Sequence, residues 1–422
     1  MTKFKTWMRA LGASLAVLMV LAVATPAEAA KLYLKNGTVY EGRVKREADE
    51  FIVFVIKVGD VETSKVIARS DIDKLVQDEA EKQAPKEHAA ATPTIAPRED
   101  SVEIPDGATK VAFVSLAEMV GPYMNRDALM KSVQMLDELP SKQRPDILVL
   151  QINSGGGYLF EMLKLTETIH KEIKPKFRTV AWVESAISAA AMTAFACEEI
   201  YMMGEGNIGA CTGFSSQGGR TTPVDGTELE EVLMYMEKVS AWGKRDPLVM
   251  RAMQISGPRR GNQPLTCDID ADGNVSWYDG PQGEFMVCPG DEILTLTTGD
   301  AVKYRVAVAE ADDKATLAKA MGLTEWVEVG PEADQYQHEF REVTKKAEAR
   351  MGELLSKLNI ALQFAQSAPT RNELERQVGL ARKYLREMRS LARQAPLVFE
   401  VQGWDNDRFE EVDEMLRKML AT

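Results

Sequence analysis

Between Leu148 and Cys211 the chain alternates strand-like and helix-like runs, and two of the junctions carry unusual residues. The apolar run Ile147 to Ile152 leads into Asn153-Ser154-Gly155-Gly156-Gly157, and a helical pattern follows from Tyr158 to Ile173. The strand-like Arg178 to Val183 then leads to Ser188, which opens the small-residue run Ala189-Ala190-Ala191. A further strand, Ile200 to Met203, precedes Asn207-Ile208-Gly209-Ala210-Cys211. Strands alternating with helices predict parallel βαβ units, in which ligands bind at the carboxyl ends of the strands. Both the glycine turn and Ser188 fall at such ends. A glycine turn leaves backbone N–H groups free, and a helix N-terminus adds positive potential. A serine between them is placed as a nucleophile beside an oxyanion hole.

These segments resemble the ClpP/crotonase superfamily, and within it the membrane-associated serine proteases of the NfeD and SppA type. Asn153, Ser154, Gly156 and Gly157 match that family's Asn-Ser-Pro-Gly-Gly turn, with Gly155 in place of proline. Ser188-Ala189 match the nucleophile and its successor, with Ala190 in place of glycine. Ile208-Gly209-Ala210 falls at the family's spacing from the serine, and Leu294-Thr295 followed by Ala301 resembles a later signature. The likeness runs over residues 105–330. It implies an α/β fold with a ClpP/crotonase-like ββα superhelix core. It also implies Ser188 as nucleophile, with the N–H groups of Gly157 and Ala189 as oxyanion donors and Gly156 keeping the turn open.

Ser188 needs a base. The chain has three histidines, His88, His170 and His338, and none follows Ser188 at the spacing of a Clp-type triad. The resemblance therefore implies a Ser-Lys dyad. A lysine serves as base when burial disfavours its ammonium form. Lys238 lies on a helix expected over 222–243, among Val232, Leu233, Met236 and Val239, and is the assigned base. Lys244, in Gly243-Lys244-Arg245-Asp246, is the fallback, and a surface lysine is the plain alternative for Lys238.

Around this core the sequence suggests further parts. Residues 1–29 read as an export signal: Lys3, Lys5 and Arg9, an apolar run from Ala10 to Ala24, then Ala27-Glu28-Ala29 at a cleavage position. An uncleaved anchor is the alternative. Residues 30–77 read as a small SH3- or Sm-like β module with a hairpin at Asn36-Gly37. Residues 78–104 lack core residues and read as a flexible linker. Residues 331–422 read as a helical or coiled-coil region. There Thr370 and Glu373 form a capping box, and Leu374, Val378, Ala381, Leu385, Met388 and Ala392 make an apolar stripe.

The net charge of −13 argues against a nucleic-acid surface. Export permits disulfides, and Cys267 and Cys288 flank a predicted hairpin and are candidates to pair, whereas Cys197 and Cys211 fit buried thiols. Asp268-Ile269-Asp270-Ala271-Asp272-Gly273 starts like a calcium loop, but a plain hairpin turn is the simpler reading, and neither metal nor cofactor is expected. The expected function is an exported serine endopeptidase cleaving peptide or membrane-protein-derived substrates in the periplasm or another extracytoplasmic compartment. The resemblance adds a homo-oligomer, and the N-terminal module or C-terminal helices offer contact with an envelope protein. The alternative is a catalytically degenerate envelope scaffold of the same fold. Crotonase-type acyl-CoA chemistry shares the fold but suits export poorly.

Overall fold

The computed structural model describes residues 30–35, 39–47, 51–58, 61–68, 72–77, 104–217, 220–255 and 263–421. The export signal, Asn36-Gly37, His88 and nearly all of the linker lie outside the described residues. The chain divides into two units, 1–92 and 93–422.

In the first unit, β1 (Ala30–Leu34), β2 (Val39–Glu47), β3 (Phe51–Val58), β4 (Val61–Ala68) and β5 (Ile72–Gln77) form one antiparallel sheet. Its order is β4-β3-β2-β1-β5, so the last strand returns beside the first.

The second unit opens with β6 (Thr109–Ala117), α1 (Arg126–Asp137), β7 (Ile147–Ser154), α2 (Leu159–Thr168), β8 (Arg178–Ile187), α3 (Ala189–Phe195) and β9 (Glu199–Gly209). Strands β6 to β9 pair in parallel, in chain order. Alternate residues point to opposite faces, and both faces are covered. Ala112, Val114, Leu148, Leu150, Ala181 and Val183 enter one core; Val111, Phe113, Val149, Val180 and Trp182 enter the other. This double burial is why these strands read as continuous apolar runs. Helix α2 ends sooner than the sequence suggests, because Ile169–Ile173 winds as a π-turn.

A hairpin of β10 (Phe214–Gln217) and β11 (Arg220–Pro223) precedes α4 (Gly226–Trp242) and α5 (Pro247–Gln254). The helix expected from residue 222 thus starts four residues later, after Asp225, whose carboxylate caps the Gly226 N–H at 2.8 Å. Strands β12 (Leu265–Ile269), β13 (Val275–Asp279) and β14 (Phe285–Cys288) form a small antiparallel sheet. Its register corrects the expected disulfide: Cys267 faces Phe285 while Cys288 faces Leu265, and Cys267 is a free buried thiol. Residues 270–274 form the hairpin turn, where the Asp270 carboxylate accepts the N–H groups of Asp272 and Asn274 and the Asn274 amide.

Strand β15 (Thr295–Thr297) pairs antiparallel to the end of β9 and leads into α6 (Thr298–Lys303). Strand β16 (Ala309–Glu310), α7 (Lys314–Ala320) and β17 (Trp326–Glu328) complete the seven-stranded sheet. The chain then forms α8 (Glu332–Gln366), α9 (Arg371–Ala392), α10 (Pro396–Glu400) and α11 (Asn406–Ala421). Helix α8 has 35 residues, about 52 Å at 1.5 Å per residue. Its first half packs on α1 and β6, where the Gln337 amide donates to the Ala128 carbonyl at 2.8 Å. Its second half joins Val378, Ala381, Leu385 and Met388 of α9 in a separate apolar core. Thr370 caps α9 through the Glu373 N–H. Among the described residues no helix is long and apolar enough to cross a membrane.

Candidate active site

The glycine turn and Ser188 meet at the carboxyl ends of β7 and β8. Ser188 sits between β8 and α3 at φ 57° and ψ −124°, a left-handed conformation that a residue with a side chain seldom adopts. Such strain costs on the order of 1–3 kcal/mol and persists where the surroundings enforce it. Here the neighbouring strand does so: the Ser188 N–H donates to the Gly209 carbonyl at 2.8 Å, and the Ala210 N–H donates to the Leu294 carbonyl at 2.9 Å. Gly209 has φ 144°, and a Cβ there would collide with the Leu294 carbonyl oxygen. The Ile208-Gly209-Ala210 motif is thus the backbone anchor of the serine.

The turn is fitted to the serine from the other side. Gly156 has φ 93°, and a Cβ on it would come 2.6 Å from the Ser188 Cβ. Gly157 has φ 158°, and a Cβ there would run into the Val120 carbonyl. Ser154 organises the turn from below: its hydroxyl donates to the Glu118 carbonyl and accepts the Gly156 N–H at 3.1 Å. Gly155 is different, since a Cβ there would meet nothing within 4 Å.

Among the described residues, the N–H groups of Gly157 and Ala189 have no hydrogen-bond partner. Both residues and Ser188 line a cavity of about 330 Å³. Its walls are largely apolar, with Met119, Met162, Met192 and Val232 inside and Leu159 and Phe214 partly exposed. Tyr158 also lines it, and burial together with the charge of Glu348 raises its phenol above the ordinary range. Cys211 donates its thiol weakly to the Ser188 carbonyl at 3.5 Å, and burial pushes that thiol far up, so it stays protonated and inert. Ser185, the neighbouring serine, is engaged with the Asn207 amide oxygen at 2.9 Å.

Lys238 stands elsewhere. It is exposed on α4, with its amine 5.2 Å from the centre of the Trp242 ring and 5.9 Å from that of Tyr235. Trp242 in turn stacks on His170 at 4.4 Å. Lys238 is absent from the Ser188 cavity lining, and so is Lys244, which lines a second cavity beside Arg245 and Arg305. Helix α4 buries Leu229, Val232, Leu233, Met236, Val239 and Ser240, and position 238 falls off that stripe. His338 lies on α8 beside Asp334 and Arg341. Sequence reasoning missed the loop from Glu118 to Met124. Val120 on that loop hydrogen-bonds both Gly156 and Tyr158, and only the fold brings it to the turn.

No family model matches the chain. Among curated proteins it is similar to the membrane protein NfeD1b of Bacillus subtilis (strain 168), with 26% identity over 179 residues, 42% of this chain. The match spans 34% of that relative, about a third of its length. Among solved structures it is similar to the 1510-N membrane-bound stomatin-specific protease in a serine-to-alanine mutant, with TM-score 0.36 and 16% identity over 51% of this chain and 85% of that one. A lysine-to-alanine mutant of that protease with a substrate peptide aligns with TM-score 0.36 and 16% identity, over 51% of this chain and 80% of that one. The 1510-N protease specific for a stomatin homolog from Pyrococcus horikoshii gives TM-score 0.33 and 14% identity, over 50% of this chain and 79% of that one. Over 179 of its residues, then, this chain is similar to a membrane protein of the NfeD type.

Proposed function

We propose that the chain is an NfeD-type serine peptidase that cleaves peptides through an ester on Ser188. The observation that carries this reading is the enforced left-handed serine beside two N–H groups that have no acceptor among the described residues. In the reaction the Ser188 hydroxyl oxygen attacks the scissile carbonyl carbon, and its proton passes to a base. The resulting oxyanion is held by the Gly157 and Ala189 N–H groups. Collapse expels the amine with that proton and leaves the acyl ester, which water then hydrolyses by the same route. The methionine-rich walls suit an apolar peptide segment.

The base assigned to this reaction is Lys238, in a Ser-Lys dyad. That role requires its amine to leave the Trp242 and Tyr235 rings and enter the cavity. The extracytoplasmic location and the homo-oligomer belong to the same proposal, as does the division into parts ending at 77, 104 and 330. A second reading, a peptide-binding relative without turnover, is favoured by one observation: no lysine or histidine is among the described residues that line the Ser188 cavity.

A fluorophosphonate probe and a peptide-hydrolysis assay on the full chain separate the two readings. Covalent labelling that is lost in Ser188→Ala, accompanied by turnover, supports the peptidase. Peptide binding with neither labelling nor turnover supports the second reading. Loss of turnover in both Lys238→Met and Lys238→Arg, with rates rising with pH in the wild type, supports the dyad, because a guanidinium stays protonated. Wild-type rates in Lys238→Met remove Lys238 from the mechanism.

A further inference from the structure

The glycine turn is not held by its own bonds alone. The loop 118–124 is tied to its glycine end by two backbone bonds, from the Val120 N–H to the Gly156 carbonyl and from the Tyr158 N–H to the Val120 carbonyl, both at 2.9 Å. It is tied to its start through Glu118, whose N–H donates to the Asn153 carbonyl and whose carbonyl accepts the Ser154 hydroxyl. The loop is itself strained. Glu118 has φ 67° and Gly121 has φ 128°, and a Cβ on Gly121 would come 2.8 Å from the Tyr158 ring.

Helix α8 grips this loop at two points. The Lys345 amine lies 2.8 Å from the Glu118 carboxylate. The hydroxyl of Tyr123, which is buried, donates to the Glu348 carboxylate. One turn earlier, Arg341 donates to the Ser115 carbonyl at 2.9 Å, at the end of β6. Residues 341, 345 and 348 follow the four- and three-residue spacing of one helix face. The same helix continues into the C-terminal core through Met351, Leu354 and Leu358.

We infer that Tyr123, Glu348 and the Glu118–Lys345 pair are positioning residues that hold the oxyanion turn in shape, so that the C-terminal helices belong to the active site's support. This rests on the reading of Ser188 above. The geometry gives two reasons. Both contacts land on the segment whose backbone bonds the turn, and one of them holds a residue in a strained conformation that would relax if released. The Tyr123–Glu348 bond, charge-assisted with the tyrosine buried, is the stronger of the two, and the exposed Glu118–Lys345 pair is the weaker.

The test uses the full chain with Tyr123→Phe, Glu348→Gln and Lys345→Met, and Lys345→Arg as the conservative variant. The first readout is amide hydrogen exchange in segments 118–124 and 154–158. It is expected to quicken about tenfold in Tyr123→Phe and about threefold in Glu348→Gln, whose amide oxygen still accepts, and in Lys345→Met, where the lost pair is exposed, and to stay at the wild-type rate in Lys345→Arg, while the amides of 378–388 are unchanged. The second readout is the rate of fluorophosphonate labelling at Ser188, expected to fall by the same factors in the same three. Unchanged exchange in all three overturns the proposal, and so does faster exchange spread evenly over the chain. Locally faster exchange in a protein whose wild type takes no label sustains the grip of α8 and overturns the Ser188 reading instead.

Discussion

Two cavities of this molecule invite comparison, and the larger is not the better candidate. Five non-glycine residues among those described have left-handed backbones: Glu118, Ser188, Ala210, Lys244 and Arg305. The first three surround the glycine turn and the serine. The last two line a cavity of about 540 Å³ with Arg245, Trp277 and Tyr304. Strain therefore marks both places. They differ in what their polar groups have left to do. Arg245 donates to the carbonyls of Phe195, Cys197 and Gly243 at 2.9–3.0 Å, tying the end of α3 to the turn after α4. Burial lowers its guanidinium to about 10, and its Nη1 is spent on protein carbonyls. At Ser188 the Gly157 and Ala189 donors line the cavity with no acceptor among the described residues. Unmet hydrogen bonding at an enforced geometry, and not volume, separates a candidate site from a strut.

The sharpest way to break this comparison is Ser188→Ala. It should abolish labelling and lower any turnover by a factor on the order of 10⁶, as for other serine nucleophiles, with thermal stability kept or raised because the strained residue loses only a hydroxyl. Equal turnover in mutant and wild type would end the assignment. Next comes Gly157→Ala, whose methyl would enter the Val120 carbonyl. Its labelling rate should fall about 10²–10³-fold, the cost of losing an oxyanion donor. A wild-type rate would show that the turn donates nothing.

Arg245→Met should act on the other cavity alone. Leaving three carbonyls without their donor should cost about 2–3 kcal/mol in a denaturation midpoint, with Ser188 still labelled at the wild-type rate. Lost labelling at full stability would make Arg245 part of the site. The smallest effect is expected at Gly155, where a side chain has room and the backbone is not left-handed. Gly155→Ala should stabilise the chain by about 0.4–1 kcal/mol through the unfolded state, with activity retained. A loss of activity would mean that the turn works by flexing.

Much of the sheet was legible because parallel strands have to be apolar where both faces are covered, as Val111 to Val114, Ile147 to Leu150, Val180 to Val183 and Ile200 to Met202 are. Ser188 was legible because its three motifs each meet a backbone demand that few residues satisfy. Where the Lys238 amine rests was not legible from its neighbours Met236 and Val239, because the helical period turns position 238 outward onto Trp242. The pairing of Cys267 with Cys288 failed on register, which flanking positions do not encode.

The sequence alone determined the elements and their order, the glycines that a close approach requires, and the serine at a helix start. These are local consequences of backbone sterics and hydrophobic period, carried within a few residues. Only the tertiary structure decided what reaches that serine. The Val120 loop, the grip of Lys345 and Glu348 some 225 residues from Glu118 and Tyr123, and the resting place of Lys238 against Trp242 all depend on which faces pack together. Contacts so distant in the chain are fixed by the shared burial of whole elements, to which no single stretch of sequence has access.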